Sequence, residues 1–295
     1  MSIKSWLDKN TASLSGKTVA VTGTTGGLGR ELCGYLASLG ASLVLMDRNK
    51  KRSEAFRDEL RAAHPDIQVE CINLELESME SVKRATDELL SFEVDIFIHN
   101  AGAYSIPRHK CGSGYDNVFQ INFVSPYYII KKLLPRLRER EGRVMVVGSI
   151  AHNYSKTDEN DIDFSTRAKA SKVYGNAKRY LMYSLFGLFE GETAVKLAIT
   201  HPGITFTNIT AHYPKVIFAL IKHPMKIIFM HPRRAALSLL LGVFASPDPK
   251  APEWIGPRLF NIWGLPSVKT LRTASLDERE RIFAAAERIY EGMAE

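Results

Sequence analysis

Residues 18–39 read TVAVTGTTGGLGRELCGYLASL. Thr18 to Val21 is a run of apolar or β-branched residues, the pattern of a short buried strand, and the glycine-rich residues 23 to 29 follow as a tight turn. Arg30 to Leu39 then carries Leu32, Leu36 and Leu39 at helical spacing. Strand, glycine turn and helix in that order make a phosphate cradle. Glycines let the backbone approach a pyrophosphate, and a helix N-terminus offers free N–H groups with partial positive charge. The spacing is T-G-x-x-x-G-x-G, with Thr22, Gly23, Gly27 and Gly29 in the fixed places. Ser15-Gly16-Lys17-Thr18 looks like the tail of a nucleoside triphosphate loop. Such a loop needs glycine where Thr11 stands and should follow a strand, so that reading fails.

Working outward, strand and helix patterns alternate. Ser42 to Met46, Ile67 to Ile72, Val94 to Ile98, Arg143 to Val147, Lys196 to Thr200 and a short Leu259 to Ile262 read as strands. Asn49 to Ala63, Ser78 to Ser91, Tyr115 to Leu137, Lys172 to Phe189 and Ala235 to Ala245 read as helices. Ser275 with Glu278 is a plausible capping box for a last helix. No repeat or linker interrupts this order, which predicts an α/β fold over residues 1–295: one doubly wound (Rossmann) parallel sheet flanked by helices, in one domain.

Composition narrows the class. With 45% hydrophobic and 24% charged residues the chain is ordinary for a globular protein. Cys33, Cys71 and Cys111 are far apart and odd in number, which argues against a disulfide framework or zinc site and fits a reducing compartment. No metal is expected. MSIKSWLDKN lacks the apolar core of a signal peptide, so a cytoplasmic location is expected. The net charge of +7 raises the question of nucleic acid. The basic cluster from Lys131 to Arg143 comes without a nucleic-acid-binding motif and reads as a solvated helix face. Val216 to Met230 is broken by Lys222, His223, Pro224 and Lys226, short of the roughly 18 apolar residues of a membrane span.

The glycine pattern, opened by Leu14-Ser15-Gly16-Lys17, resembles that of the short-chain dehydrogenase/reductase family. Further motifs agree in order. His99-Asn100-Ala101-Gly102 is similar to the family's Asn-Asn-Ala-Gly, with His99 in the first place. Ser149 ends a strand where the family has its substrate-binding serine, and Tyr174-Gly175-Asn176-Ala177-Lys178 matches Tyr-x-x-x-Lys. Asn122, inside the long helix, matches an Asn that distorts that helix near the catalytic Lys. His201-Pro202-Gly203-Ile204-Thr205-Phe206-Thr207 matches the Pro-Gly turn and threonine of the nicotinamide side. The resemblance runs from Leu14 to Thr207 and is loose beyond Thr210.

It implies a nicotinamide dinucleotide held by Gly23, Thr25, Gly27, Leu28, Gly29, Asp47, Arg48, Asn73, Leu74, Asn100, Ala101, Gly102, Tyr174, Lys178, Pro202, Gly203, Thr205 and Thr207. Asp47 lies 18 positions after Gly29, where a carboxylate can accept ribose hydroxyls and favour NAD. Arg48 could instead pair with a 2′-phosphate, which keeps NADP open. Asn73-Leu74 stands where the family has Asp-Leu at the adenine. The catalytic set is Asn122, Ser149, Tyr174 and Lys178. Residues four apart share a helix face, so the Tyr174 phenol and Lys178 ammonium point into one site. That ammonium and an oxidised nicotinamide favour phenolate, and Tyr174 exchanges a proton with substrate oxygen while hydride moves.

Ser149 and Tyr174 are 25 positions apart, about twice the family's usual spacing, so Ala151 to Lys172 is an inserted loop. A similar insert with Ile-x-Phe, here Ile162-Asp163-Phe164, marks the retinol-dehydrogenase-like branch. His152 reads as a loop histidine. The expected activity is hydride transfer on a small alcohol or carbonyl, and the apolar stretch 213–230 favours a lipophilic one. That stretch is either a lid or a basic amphipathic contact with an anionic membrane. The competing reading is a silent dinucleotide sensor or scaffold; homo-oligomerisation is left open.

Overall fold

The computed structural model describes residues 2–203, 230–245, 247, 252–271 and 273–294. Among the described residues, eight strands form one sheet in the order β3-β2-β1-β4-β5-β6-β7-β8. They are β1 (Thr18–Thr22), β2 (Ser42–Asp47), β3 (Val69–Asn73), β4 (Ile96–His99), β5 (Arg143–Val147), β6 (Lys196–Thr200), β7 (Glu253–Leu259) and β8 (Trp263–Thr270). The first seven pair in parallel and β8 pairs antiparallel with β7. Chain order reverses between β1 and β4, and ligands of such sheets bind beyond the carboxyl ends at that reversal.

Helices cover both faces. On one side lie α1 (Ile3–Asn10), α2 (Gly27–Ser38), α3 (Lys50–Ala63) and α8 (Pro232–Phe244), around a core that includes Val21, Leu36, Leu45, Phe56 and Leu239. On the other lie α4 (Met79–Leu89), α6 (Ser125–Glu139), α7 (Ala170–Leu188) and α9 (Leu276–Ala294), around Phe97, Phe123, Tyr127, Tyr180 and Ile282. Strands β1, β2, β4 and β5 are buried on both faces, so they read as continuous apolar runs.

Three expectations need correction. Leu259–Ile262 is not a last strand: Leu259 ends β7, and the next three residues make the hairpin turn to β8, with Phe260 and Asn261 at positive φ. The long helix over 115–137 is interrupted. A short turn α5 (Asn117–Phe119) passes into a π-helical segment, Gln120–Val124, before α6. Its cause is Asn122, whose Nδ2 donates to the carbonyls of Val118 (2.8 Å) and Ala103 (2.9 Å) and so inserts a side chain into the helical ladder. The third concerns the capping box, of which only half forms. Ser275 Oγ accepts from Glu278 N at 3.2 Å, but the Glu278 side chain turns to Arg179.

That ion pair ties α9 to α7. Arg179 Nε and Nη2 each donate to Glu278 at 2.7 Å, and the guanidinium also reaches the carbonyls of His152 and Thr273. Arg179 is buried, so removing its partner leaves an uncompensated charge. Glu278→Ala is expected to cost about 3–5 kcal/mol in urea unfolding. A loss below about 1 kcal/mol would show instead that the pair behaves as a surface contact.

Candidate active site

A cleft of about 630 Å³ opens at the carboxyl ends of the central strands. Gly23, Thr25, Gly27, Leu28, Gly29, Asp47, Arg48, Leu74, Asn100, Ala101, Gly102, Ser149, Tyr174, Lys178, Pro202 and Gly203 all line it. Asn73 and Asn122 do not face it, and Thr205 and Thr207 lie outside the described residues. The stretch 213–230 also lies outside them, except for Met230.

The glycine turn leaves β1 and enters α2 with its backbone drawn tight. A Cβ on Gly29 would sit 2.3 Å from the Gly23 carbonyl oxygen. No side chain caps the α2 N-terminus. A helix start without a side-chain cap, fronted by glycines and opening into a cleft, suits a pyrophosphate in charge and shape, so the residues present fit a dinucleotide.

The adenosine end differs from expectation. Asp47 is buried, and its carboxylate faces the glycine turn. Oδ1 accepts from Thr25 N (3.1 Å) and Thr25 Oγ1 (3.2 Å), while Oδ2 accepts from Ser53 Oγ (3.0 Å) and from Thr24 Oγ1. Four donors meet the roughly four lone-pair sites of a carboxylate. Asn73 likewise turns back: its Nδ2 donates to the carbonyls of Asp47 (3.2 Å) and Arg48 (2.9 Å). Arg48 is exposed at the rim, and Arg52, one helical turn on, donates to Thr25 O at 3.1 Å.

The β4 end is fastened to β1. Thr22 Oγ1 accepts from the backbone N–H of Asn100 (3.1 Å) and Ala101 (3.0 Å), and Asn100 Nδ2 donates to Thr22 O and Gly23 O. Beneath them Asn122 Oδ1 accepts from Ala103 N at 3.3 Å. Asn122 thus shapes the floor from outside the cleft.

Ser149, Tyr174 and Lys178 come together on one wall. Lys178 is buried and donates to Val147 O at 2.9 Å; burial pushes its pKa down to about 7. Burial pushes the Tyr174 phenol up to about 12, against a hydrogen bond with Ser149 that lowers it, and Tyr104 adds to the rise. Lys178 Nζ lies 5.7 Å from the centre of the Tyr174 ring. Gly175 lets α7 approach the serine turn: a Cβ there would lie 2.3 Å from Ala151 O.

Sequence reasoning missed two neighbours. Tyr104 meets Tyr174 edge-on at 5.3 Å between centroids. Its place three residues after Ala101 was the available signal. His152, read as a loop residue, is buried: its Nδ1 donates to Ser149 O at 2.5 Å and its Nε2 accepts from Thr273 Oγ1 at 2.9 Å. Burial holds it near a pKa of about 4, so it is a neutral brace for the serine turn. The insert 151–172 packs on α7, where Asn176 Nδ2 donates to Ile162 O at 2.8 Å, and on Arg108, which donates to Phe164 O at 2.8 Å.

The comparisons agree with this geometry. A family model described as short chain dehydrogenase matches residues 17–160. Short chain dehydrogenase resG of Aspergillus sclerotiorum is 32% identical over 231 residues, 66% of this chain and 64% of that protein. Mouse retinol dehydrogenase 14 is 31% identical over 215 residues, 68% of this chain and 64% of that protein. The matched region therefore spans just under two thirds of these relatives. A crystal structure of an uncharacterized protein from Mycobacterium paratuberculosis has the same fold, with a TM-score of 0.75 and 21% identity over 95% of both chains. The chain belongs to the short-chain dehydrogenase/reductase family, with retinol dehydrogenases among its relatives.

Proposed function

We propose that this protein is an NADP(H)-dependent oxidoreductase that moves hydride between nicotinamide and an alcohol or carbonyl carbon, with Tyr174 as acid/base. The observation that carries it is the convergence of the Tyr174 phenol, Ser149 and Lys178 on one wall of a cleft whose other end is the glycine turn. When bound, the nicotinamide gives or takes the hydride. Ser149 orients the substrate oxygen, Tyr174 passes it a proton, and Lys178 favours the phenolate when charged. Tyr104, Ile106 and Ile150 add apolar surface beside Tyr174, which supports a lipophilic substrate. A cytoplasmic location and membrane contact through 213–230 rest on the sequence alone.

The saturated Asp47 carboxylate moves cofactor choice from NAD to NADP. With Asp47 occupied, the free group at the rim is the Arg48 guanidinium, suited to a 2′-phosphate. Arg48→Ala is expected to weaken NADP(H) binding about tenfold, near 1.4 kcal/mol, with little effect on NAD(H). Asp47→Ala should weaken both dinucleotides alike and lower stability, because it strips the acceptor from four donors. Calorimetric titration of both forms into both variants checks this. An Asp47→Ala protein that loses NAD(H) alone would restore the ribose role.

Tyr174→Phe removes only the hydroxyl, so dinucleotide binding should survive while turnover falls roughly 10²-fold or more. Near wild-type turnover on an alcohol or ketone panel would remove Tyr174 from the chemistry.

The resting phenol is protonated at neutral pH, being held up to about 12. Carbonyl reduction needs that proton, and at saturating NADPH its rate should vary little between pH 6 and 8. Alcohol oxidation needs phenolate, so its rate should rise with pH, by up to about tenfold per unit below the phenol pKa of the loaded enzyme. Initial rates in both directions decide the sign, and a reduction limb that climbs with pH contradicts it.

A further inference from the structure

His99 stands where the family signature has Asn, and its ring takes no part in the chemistry above. It is buried at 0% exposure on the face of β4 that carries Phe97, under α6 and α7. Its Nδ1 lies 3.1 Å from Thr22 Oγ1. Counting hydrogens fixes the tautomer. The two lone pairs of Thr22 Oγ1 take the N–H groups of Asn100 and Ala101, so the hydroxyl hydrogen goes to His99 Nδ1. His99 is therefore neutral with its hydrogen on Nε2.

That Nε2 is buried and has no hydrogen-bond partner among the described protein atoms. Burial first, and then the Lys178 charge, hold the ring's pKa well below the ordinary imidazole range, so the ring stays neutral. Among the described groups packed over this face, Lys178 is the charge whose field reaches it. An Asn would serve Thr22 equally well, because its Oδ1 and the imidazole Nδ1 stand the same number of bonds from Cα. What Asn lacks is the reach of Nε2. The substitution therefore adds a buried donor at the level of Val146, with which His99 is in register, one residue from the Val147 carbonyl that takes Lys178 Nζ, and a donor left unmet there is costly. Lys178 Nζ spends one hydrogen on Val147 O and keeps capacity for another partner. Buried polar groups left in this way are met by ordered water.

We propose that His99 holds an internal water between its Nε2 and the Lys178 amine, and so acts as a positioning residue for the Lys178 proton. The inference rests on the reading of Tyr174 and Lys178 as the proton-transfer pair. The water accepts from both groups, and it stabilises the ammonium when Lys178 is charged.

The test joins three readouts, two of which need no turnover. Histidine 15N NMR of the free protein should show the His99 hydrogen on Nε2 from pH 6 to 8. A high-resolution crystal structure should show water within hydrogen-bond distance of Nε2, and His99→Asn should lack it. The Asn variant keeps the Thr22 acceptor, so its NADP(H) affinity at pH 8 should stay within about threefold of wild type, less than the tenfold step of 1.4 kcal/mol. The Lys178-linked midpoint in its affinity–pH profile should move down by about one unit. A hydrogen on Nδ1, an Nε2 without water, lost dinucleotide binding in His99→Asn, or an unmoved midpoint each overturns the assignment. Failure of Tyr174→Phe to lose activity would sink the acid/base reading and leave the tautomer and water results standing.

Discussion

Two chain reversals, one after β1 and one after β4, have to pass each other in contact, and the rest of the site depends on that crossing. A Cβ on Gly23 would lie 2.9 Å from Ala101 Cα, so the two turns meet backbone to backbone. Polar backbone packed this tightly has no room for water and must be satisfied from within. Thr22 and Asn100 do so: one hydroxyl and one amide serve four backbone groups across the crossing. The crossing sets where the uncapped start of α2 opens, and so where phosphate can sit. It also fixes Gly102 above Asn122, whose π-helical insertion shapes the floor on the reacting side.

Electrostatics at the site run against burial on every side. Desolvation raises the Tyr174 phenol to about 12 and lowers Lys178 to about 7, so near pH 8 the free protein holds both mostly neutral. Neither group is therefore spent on a standing ion pair. Each is free to respond to charge that arrives with cofactor or substrate, which makes their proton exchange conditional on binding. The Asp47 carboxylate accepts from four donors and ties the glycine turn to β2 and α3.

Much of this was legible in the sequence, and what was not has physical reasons. Strands β1, β2, β4 and β5 are buried on both faces, so each shows as an apolar run bounded by turn residues. The hairpin did not show. β8 (WGLPSVKT) carries Gly264 and Pro266, which read as breakers, yet an edge strand tolerates both, and Pro266 stands opposite Pro257. Helix α1 was missed because only Trp6 of its eight residues is buried. Asp47 was legible as the end of a strand lining the cleft, but its protein partners were not. A strand end fixes where a side chain begins, and its orientation here is set by Thr24, Thr25 and Ser53, which no local pattern ties to it. His152 failed similarly, since its partner Thr273 is 121 positions away.

That distant pairing changes the standing of the last part of the chain, where the resemblance is loosest. The serine turn, Ile150–Tyr154, touches the C-terminal segment twice. His152 bridges Ser149 O to Thr273, and Arg179 joins His152 O to Thr273 O and Glu278. Tyr183 closes the set by bonding Thr273 Oγ1. Trp254, from β7, lies between His152 and His201, stacked on the latter with 5.1 Å between centroids, and His201 lines the cleft. β5 places Ser149, and the insert follows it, so the turn beyond Ser149 takes its bracing from outside the insert. Trp254, Thr273 and Glu278 supply that bracing. A difference in the C-terminal part therefore reaches Ser149 through its brace as well as through the lining of the cleft.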